Sequence, residues 1–184
     1  NGSWYAGSFD KGQWHGPGEW HGSNGEVYRG NFNLGLFDGQ GTLTTSGSSY
    51  TGGFKAGRRE GEGTLKENGM TYRGEFKADQ YSGLGRLELD DGSSYQGQFA
   101  HGKPNGEGQR GDASGNQFTG HFKDGQLEGN GTFNSADGDI YVGGFKNNQL
   151  HGKGRYENAD GDVWLGQFKE GSLNGKGELI GADG

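Results

Sequence analysis

The sequence predicts an all-β fold, an elongated single-layer antiparallel array of repeated β-hairpins, and three observations predict it. First, Tyr5, Tyr28, Tyr50, Tyr72, Tyr95, Phe118, Tyr141 and Trp164 recur at intervals of 22 or 23 residues. Counting each of these as position 0, every unit has Gly at position 2 and Gly at positions 11 and 13. Position 4 is Phe throughout: Phe9, Phe32, Phe54, Phe76, Phe99, Phe122, Phe145 and Phe168. Second, side-chain character within a unit alternates with period two, the period of a strand. Third, Gly supplies 44 of the 184 residues, and each would cost a helix interior roughly 1 kcal/mol relative to Ala. High Gly with few aliphatics ordinarily marks disorder. Here the 11 Phe, 8 Tyr and 4 Trp contradict that reading, because all but Trp4 stand in four columns, at positions 0, 4, 9 and 15. The sixteen rings of positions 0 and 4 are expected to be the structural packing residues of the array.

The elements follow in order from the third unit. Gly61–Glu67 and Met70–Phe76 alternate about Asn68-Gly69, the strongest short signal for a two-residue type I′ hairpin. Folding there pairs Leu65 with Tyr72, Gly63 with Gly74 and Gly61 with Phe76, all on one face. Glu62, Thr64, Lys66, Thr71, Arg73 and Glu75 take the other face. The glycines are expected to leave room for the large rings. Units of 23 residues have one more turn residue, as in Asp90-Asp91-Gly92, Ser23-Asn24-Gly25 and Ala136-Asp137-Gly138, which fits a three-residue loop ending in a left-handed Gly. Position 7 is Gly in six units and Asp79 or Asn148 in the others, so a second tight turn with positive φ is expected there.

The domain expectation is one array spanning residues 1–184, of eight units starting near the eight aromatic residues of position 0. Asn1-Gly2 and Asp183-Gly184 occupy turn positions, so the chain runs from turn to turn with seven complete hairpins and an unpaired strand at each end. Sixteen strands at about 4.8 Å predict a ribbon roughly 70 Å long, stabilised by stacking of neighbours. Unpaired terminal strands invite self-association. Beginning at Asn1 rather than Met, the chain is expected to be a piece excised from a longer protein.

The pattern Tyr-x-Gly-x-Phe-x-x-Gly-x-x-x-Gly-x-Gly, complete from Tyr50 to Gly63, resembles the membrane occupation and recognition nexus (MORN) repeat. The resemblance covers essentially the whole chain. It implies a twisted antiparallel hairpin array, usually a scaffold or protein-binding module appended to other domains. It also implies proposed membrane or phosphoinositide attachment in some members, antiparallel dimers in others, and bacterial members that accompany enzymatic domains such as peptidases.

Charge and motifs narrow the chemistry. Seventeen Lys+Arg against 24 Asp+Glu give −7 with no basic stripe, which argues against a nucleic acid partner. Cysteine is absent, which removes disulfides, thiolate metal sites and cysteine nucleophiles. His15, His21, His101, His121 and His151 lack metal-ligand spacing. Gly171–Gly177 departs from a phosphate loop in its glycine spacing and has no Ser or Thr after Lys176. Asp137-Gly-Asp139 and Asp160-Gly-Asp162 repeat one period apart, but hairpin turns favour Asp-Gly and calcium needs six or more oxygens. No catalytic residue, cofactor or metal ligand is therefore assigned. Lys55, Lys77, Lys123, Lys146 and Lys169 share position 5, yet a net charge of −7 opposes direct binding to an anionic membrane, and a solvated edge balanced by Glu is expected.

On the face opposite the rings, most positions are polar. In the last two units they become Ile140, Val142, Val163 and Leu165, read as an interface candidate on adjacent hairpins, with Trp4 on the same outer row of the first unit. The leading expectation is a non-catalytic scaffold or binding module for another protein or domain. The alternative is a glycan, cell-wall or membrane-surface module, accessory to an enzymatic domain such as a peptidase, with Trp14, Trp20 and Tyr81 as stacking rings.

Overall fold

The computed structural model describes residues 2–183, so the expected turns at Asn1-Gly2 and Asp183-Gly184 each include a residue outside the described ones. It contains 16 strands and, among the described residues, no helix. They form one open antiparallel sheet whose strand order is the chain order. The all-β hairpin array expected from the period is what folds.

Two compact units are distinguished. The first comprises residues up to Leu89 together with Ala100–Gly102. It carries β1 (Trp4–Asp10), β2 (Gln13–His21), β3 (Val27–Asn33), β4 (Leu36–Thr44), β5 (Ser48–Lys55), β6 (Arg58–Glu67), β7 (Met70–Lys77) and β8 (Gln80–Leu89). The second comprises Asp90–Phe99 and the residues from Lys103 onward. It carries β10 (Lys103–Gly111), β11 (Gln117–Lys123), β12 (Gln126–Asn134), β13 (Ile140–Lys146), β14 (Gln149–Glu157), β15 (Val163–Lys169), β16 (Ser172–Ile180) and most of β9 (Ser94–Ala100).

The register between β6 and β7 is the one the sequence predicts: Leu65 opposes Tyr72, Gly63 opposes Gly74 and Gly61 opposes Phe76. Asn68 and Gly69 both have positive φ, 47° and 76°, as a type I′ turn requires. The second tight turn also forms. Asp79 and Asn148 lie at φ 71° and 68°, and the residue before each is left-handed too. Position 6 thus holds residues such as Leu34, Ala78 and Glu170 at φ near 50°, which the sequence does not announce. Hydrogen bonding between repeats holds these turns: Gly57 N–H donates to Phe37 O at 2.8 Å, Asp79 N–H to Arg59 O at 3.0 Å and Asn148 N–H to Leu127 O at 3.2 Å.

The core is a ladder of rings on one face. Tyr28, Tyr50, Tyr72, Phe32, Phe54 and Phe76 are buried in the first unit, and Tyr95, Phe99, Phe122, Tyr141, Phe145 and Phe168 in the second. Where position 0 is Tyr in two successive repeats, the position-4 Phe can set its edge against both. Phe54 meets Tyr50 at 5.0 Å and Tyr28 at 5.2 Å. Position-9 rings stack flat on the same tyrosines, Phe37 on Tyr28 and Tyr81 on Tyr72, both at 3.8 Å. Offset and T-shaped pairs of this kind add about 0.5–1.5 kcal/mol beyond the area they bury. Period-two alternation therefore packs a core without a second layer.

Not every ring of the two columns is sealed as the sequence predicts. Phe9 is the correction: it is 61% exposed, although it sets its edge against Tyr5 at 5.3 Å. A buried position-4 ring such as Phe54 is covered by the tyrosine of the preceding repeat, and no such ring lies over Phe9 among the described residues. Tyr5, Phe118 and Trp164 are half-buried. Phe168 differs in its contacts rather than its burial. It is buried and meets Tyr141 of the preceding repeat at 5.0 Å, while Trp164 of its own repeat tilts against Tyr156 at 5.7 Å. Phe32, Phe54, Phe76, Phe122 and Phe168 each meet the tyrosine of the repeat before in this way.

Within the strands the glycines have two jobs rather than the single one expected. At position 13 the expectation is right: a Cβ on Gly18 would stand 2.6 Å from the Tyr5 ring. At position 11 it is not. A Cβ on Gly61 would meet nothing within 4 Å, but Gly61 has φ 74°. It lies in an irregular stretch of β6, where the register shifts between Gly52 and Phe54 of β5, and only Gly adopts that backbone freely. The tyrosine hydroxyls serve the same stretch. Tyr28, Tyr50 and Tyr72 donate to the carbonyls of Asn31, Gly53 and Glu75, each at 2.9 Å.

Candidate functional site

The face opposite the rings presents the side chains that the fold does not consume. Cross-strand register places Val142 of β13, Arg155 of β14, Leu165 of β15 and Glu178 of β16 in one row. The next row is Ile140, Glu157, Val163 and Ile180. Ile140, Val142 and Ile180 are exposed, at 38%, 51% and 41%, and Val163 and Leu165 are half-buried. Ile140 and Val142 on β13 are separated by β14 from Val163 and Leu165 on β15. Between them lies the Arg155–Glu157 ion pair, at 2.5 Å.

Beside this strip is a depression lined by Lys153, Leu165, Gln167, Lys176 and Glu178. Neither lysine forms an ion pair among the described residues. The sequence does not single out Lys153, and marks Lys176 only in the rejected phosphate loop, although their shared column carries a signal. Position 12 reads Pro17, Gln40, Glu62, Leu84, Glu107, Asn130, Lys153 and Lys176, and turns cationic only where positions −1 and 1 turn aliphatic.

Trp4 lies in the first unit. Its ring stacks on His21 at 4.0 Å and is 48% exposed. His21 contacts Glu19 at 2.6 Å, and Glu19 accepts from Arg29 at 3.0 Å. The bonds from Arg29 and then His21 hold the Glu19 carboxyl below its ordinary range.

The three rings considered for ligand stacking are occupied in part by packing. Trp14 stacks on Tyr5 at 4.9 Å, Tyr81 lies flat on Tyr72, and Trp20 tilts against Phe37 at 5.7 Å. Tyr81 also borders a second depression, with Lys77, Gln80 and Ser82.

The acidic turns are engaged in holding their neighbours. Asp139 Oδ1 accepts the Ala159 amide at 3.0 Å while Oδ2 accepts the Tyr156 hydroxyl at 2.6 Å. That bond, with burial, raises the Tyr156 phenol to about 12. Asp162 Oδ1 accepts the Ala182 amide at 3.0 Å. Among the described residues no three His, Asp or Glu side chains are grouped to hold a metal ion. His121 pairs with Glu107 at 3.1 Å. The lysines of position 5 are all exposed and, among the described residues, none has a carboxylate partner, so the expected balance by Glu is not made by direct contact. No helix among the described residues is long and apolar enough to cross a membrane.

The model of the MORN repeat matches eight times, over residues 5–27, 28–49, 50–71, 72–94, 95–117, 118–140, 141–163 and 164–184. The chain belongs to the MORN-repeat family. Each match begins at one of the eight position-0 aromatics. MORN repeats are typically repeat modules that bind proteins or membranes. No curated protein matches this chain. Among solved structures, this MORN chain is similar to the TCP domain of SAS-4 (dCPAP) of Drosophila melanogaster, solved in complex with a proline-rich motif of Ana2 (dSTIL). The identity is 15% and the TM-score 0.45, over 90% of this chain and 83% of that one. That likeness transfers no ligand.

Proposed function

We propose that the chain is a non-catalytic scaffold module that binds another protein or domain through the outer face of β13–β16. The observation that carries this reading is where the repeats stop repeating. The ring face keeps its Phe and Gly columns through all eight units. On the outer face, positions −1 and 1 are mostly polar through six units and become Ile140, Val142, Val163 and Leu165 in the last two. Ring packing does not call for aliphatic side chains there, and their exposure is what a partner would remove. The glycan alternative has less support, because Trp14 and Tyr81 give a face of each ring to a tyrosine of the core.

The test is a quantitative affinity capture that compares the native chain with Ile140→Asp plus Val163→Asp. Both positions are on the outer face, so the variant should keep its melting curve and lose specific partners. Retention of every partner would reject this face as the binding surface.

A further inference from the structure

We infer that the occupant of this outer face is an extended peptide segment in which carboxylates alternate with aliphatic side chains. The inference rests on the protein-binding reading above and adds the chemistry of the partner. Three outer columns change together in the last two units: two become aliphatic, and position 12 becomes Lys153 and Lys176. These lysines line one depression with Leu165 and Glu178, and neither forms an ion pair among the described residues. An aliphatic floor between two unneutralised cations matches a segment that presents both apolar and acidic groups.

The arrangement of charge favours a peptide over an anionic bilayer. Lys153, Arg155 and Glu157 follow one another on the outer face of β14, and Lys176 and Glu178 on that of β16, so the strip carries one net positive charge from three cations and two carboxylates. A uniformly anionic surface gains little from such a mixture and meets the glutamates unfavourably. A peptide can set discrete carboxylates against Lys153 and Lys176 and turn apolar side chains toward Val142 and Leu165. The formal charge of −7 over the chain works in the same direction, since it repels an extended anionic surface more than a short segment.

A displayed library of random peptides, panned on the whole chain, supplies the probes, and fluorescence polarisation measures the synthetic winners. The winners should be rich in Asp or Glu beside Val, Ile or Leu. Their affinity should fall at least about tenfold with Lys153→Glu plus Lys176→Glu, and be partly restored when the peptide carboxylates are replaced by lysine. Lys55→Glu plus Lys77→Glu, on the turn edge, should leave binding within about twofold. Peptides that respond to Ile140→Asp plus Val163→Asp but are not acidic and ignore the lysine swap would overturn the assignment and leave the protein-binding reading standing. A library with no binder, or binders indifferent to both double variants, would overturn both. Lysine-dependent binding of phosphatidylcholine vesicles containing phosphatidylserine, stronger than that of any peptide, would give the face to membranes and overturn the peptide.

Discussion

Arg59 donates its Nε–H to Asp79 Oδ1 at 3.1 Å, one repeat further along the sheet. The two residues are paired exceptions. Arg59 stands at position 9, where three other units have a ring, and Asp79 stands at position 7, where six units have Gly. The guanidinium replaces the missing ring by lying over Tyr50 and Phe76, 5.8 Å and 5.2 Å from their centroids. Asp79 Oδ1 also accepts the Arg59 backbone N–H at 3.0 Å. The second exception at position 7 follows the same logic: Asn148 accepts from Arg110, the one basic residue at position 15, at 3.0 Å.

This coupling predicts opposite outcomes for one substitution in two backgrounds. Asp79→Gly in the native chain removes both bonds that the Asp79 side chain makes to Arg59 while relieving a non-Gly residue at φ 71°. In an Arg59→Phe background it loses only the backbone bond and keeps the relief. Arg59 and Asp79 are partly exposed, at 26% and 47%, which limits the ion pair itself to a fraction of a kcal/mol. The cation–π contacts with Tyr50 and Phe76 cancel in an Arg59/Asp79 double-mutant cycle, so the interaction energy from urea denaturation should be about 0.5 kcal/mol. Additive single variants would reject the pairing.

The sequence made the fold legible because its inner columns are set by physics that acts locally. A Tyr over two glycines, an Asn-Gly turn and period-two alternation each specify the same register, and β6 and β7 adopt it. What the sequence concealed depends on contacts between repeats. Phe9 and Phe168 are the same residue in the same column, yet one is exposed and the other sealed by Tyr141 of the repeat before it. Nothing in the run Phe76-Lys77-Ala78 shows that Ala78 has a left-handed backbone, because its turn is held by hydrogen bonds to the preceding repeat, including Ala78 N–H to Glu60 Oε2 at 2.9 Å. The candidate face was half legible for a similar reason. Ile140 and Val163 stand out as apolar residues in polar columns, whereas Lys153 and Lys176 look like ordinary solvated lysines until the fold brings them with Leu165 into the lining of one depression.

Glycine at position 13 should be hard to replace where a tyrosine lies over it. A Cβ on Gly63 would fall 2.5 Å from Tyr50 Cε2, and that ring is fixed by its hydroxyl bond to Gly53 O. Gly63→Ala should therefore cost about 2–3 kcal/mol by overpacking. In a Tyr50→Leu background, where no ring stands over Gly63, the same change should cost distinctly less. Tyr50→Phe isolates the hydroxyl and should cost about 1 kcal/mol. Thermal or urea unfolding of these variants reads the differences, and an equal loss at Gly63 in both backgrounds would refute the ring-over-glycine account.

The buried tyrosines give the array a defined weakness at high pH. Burial raises the phenols of Tyr28, Tyr50 and Tyr95 to about 12, against about 10 in an unfolded chain. Below about pH 10 both states are protonated and nothing is lost. Between about pH 10 and 12 the unfolded chain has released protons that the native sheet still holds. Stability then falls as pH rises, by up to about 1.4 kcal/mol per pH unit for each such tyrosine. The loss should be steep because several repeats carry the same group and each repeat leans on its neighbours. Urea midpoints measured alongside tyrosinate absorbance should decline together across this interval, with a shallower decline in Tyr50→Phe. Ionisation of these phenols near pH 10 in a sheet that stays folded would show that the rings are not sealed against their glycines.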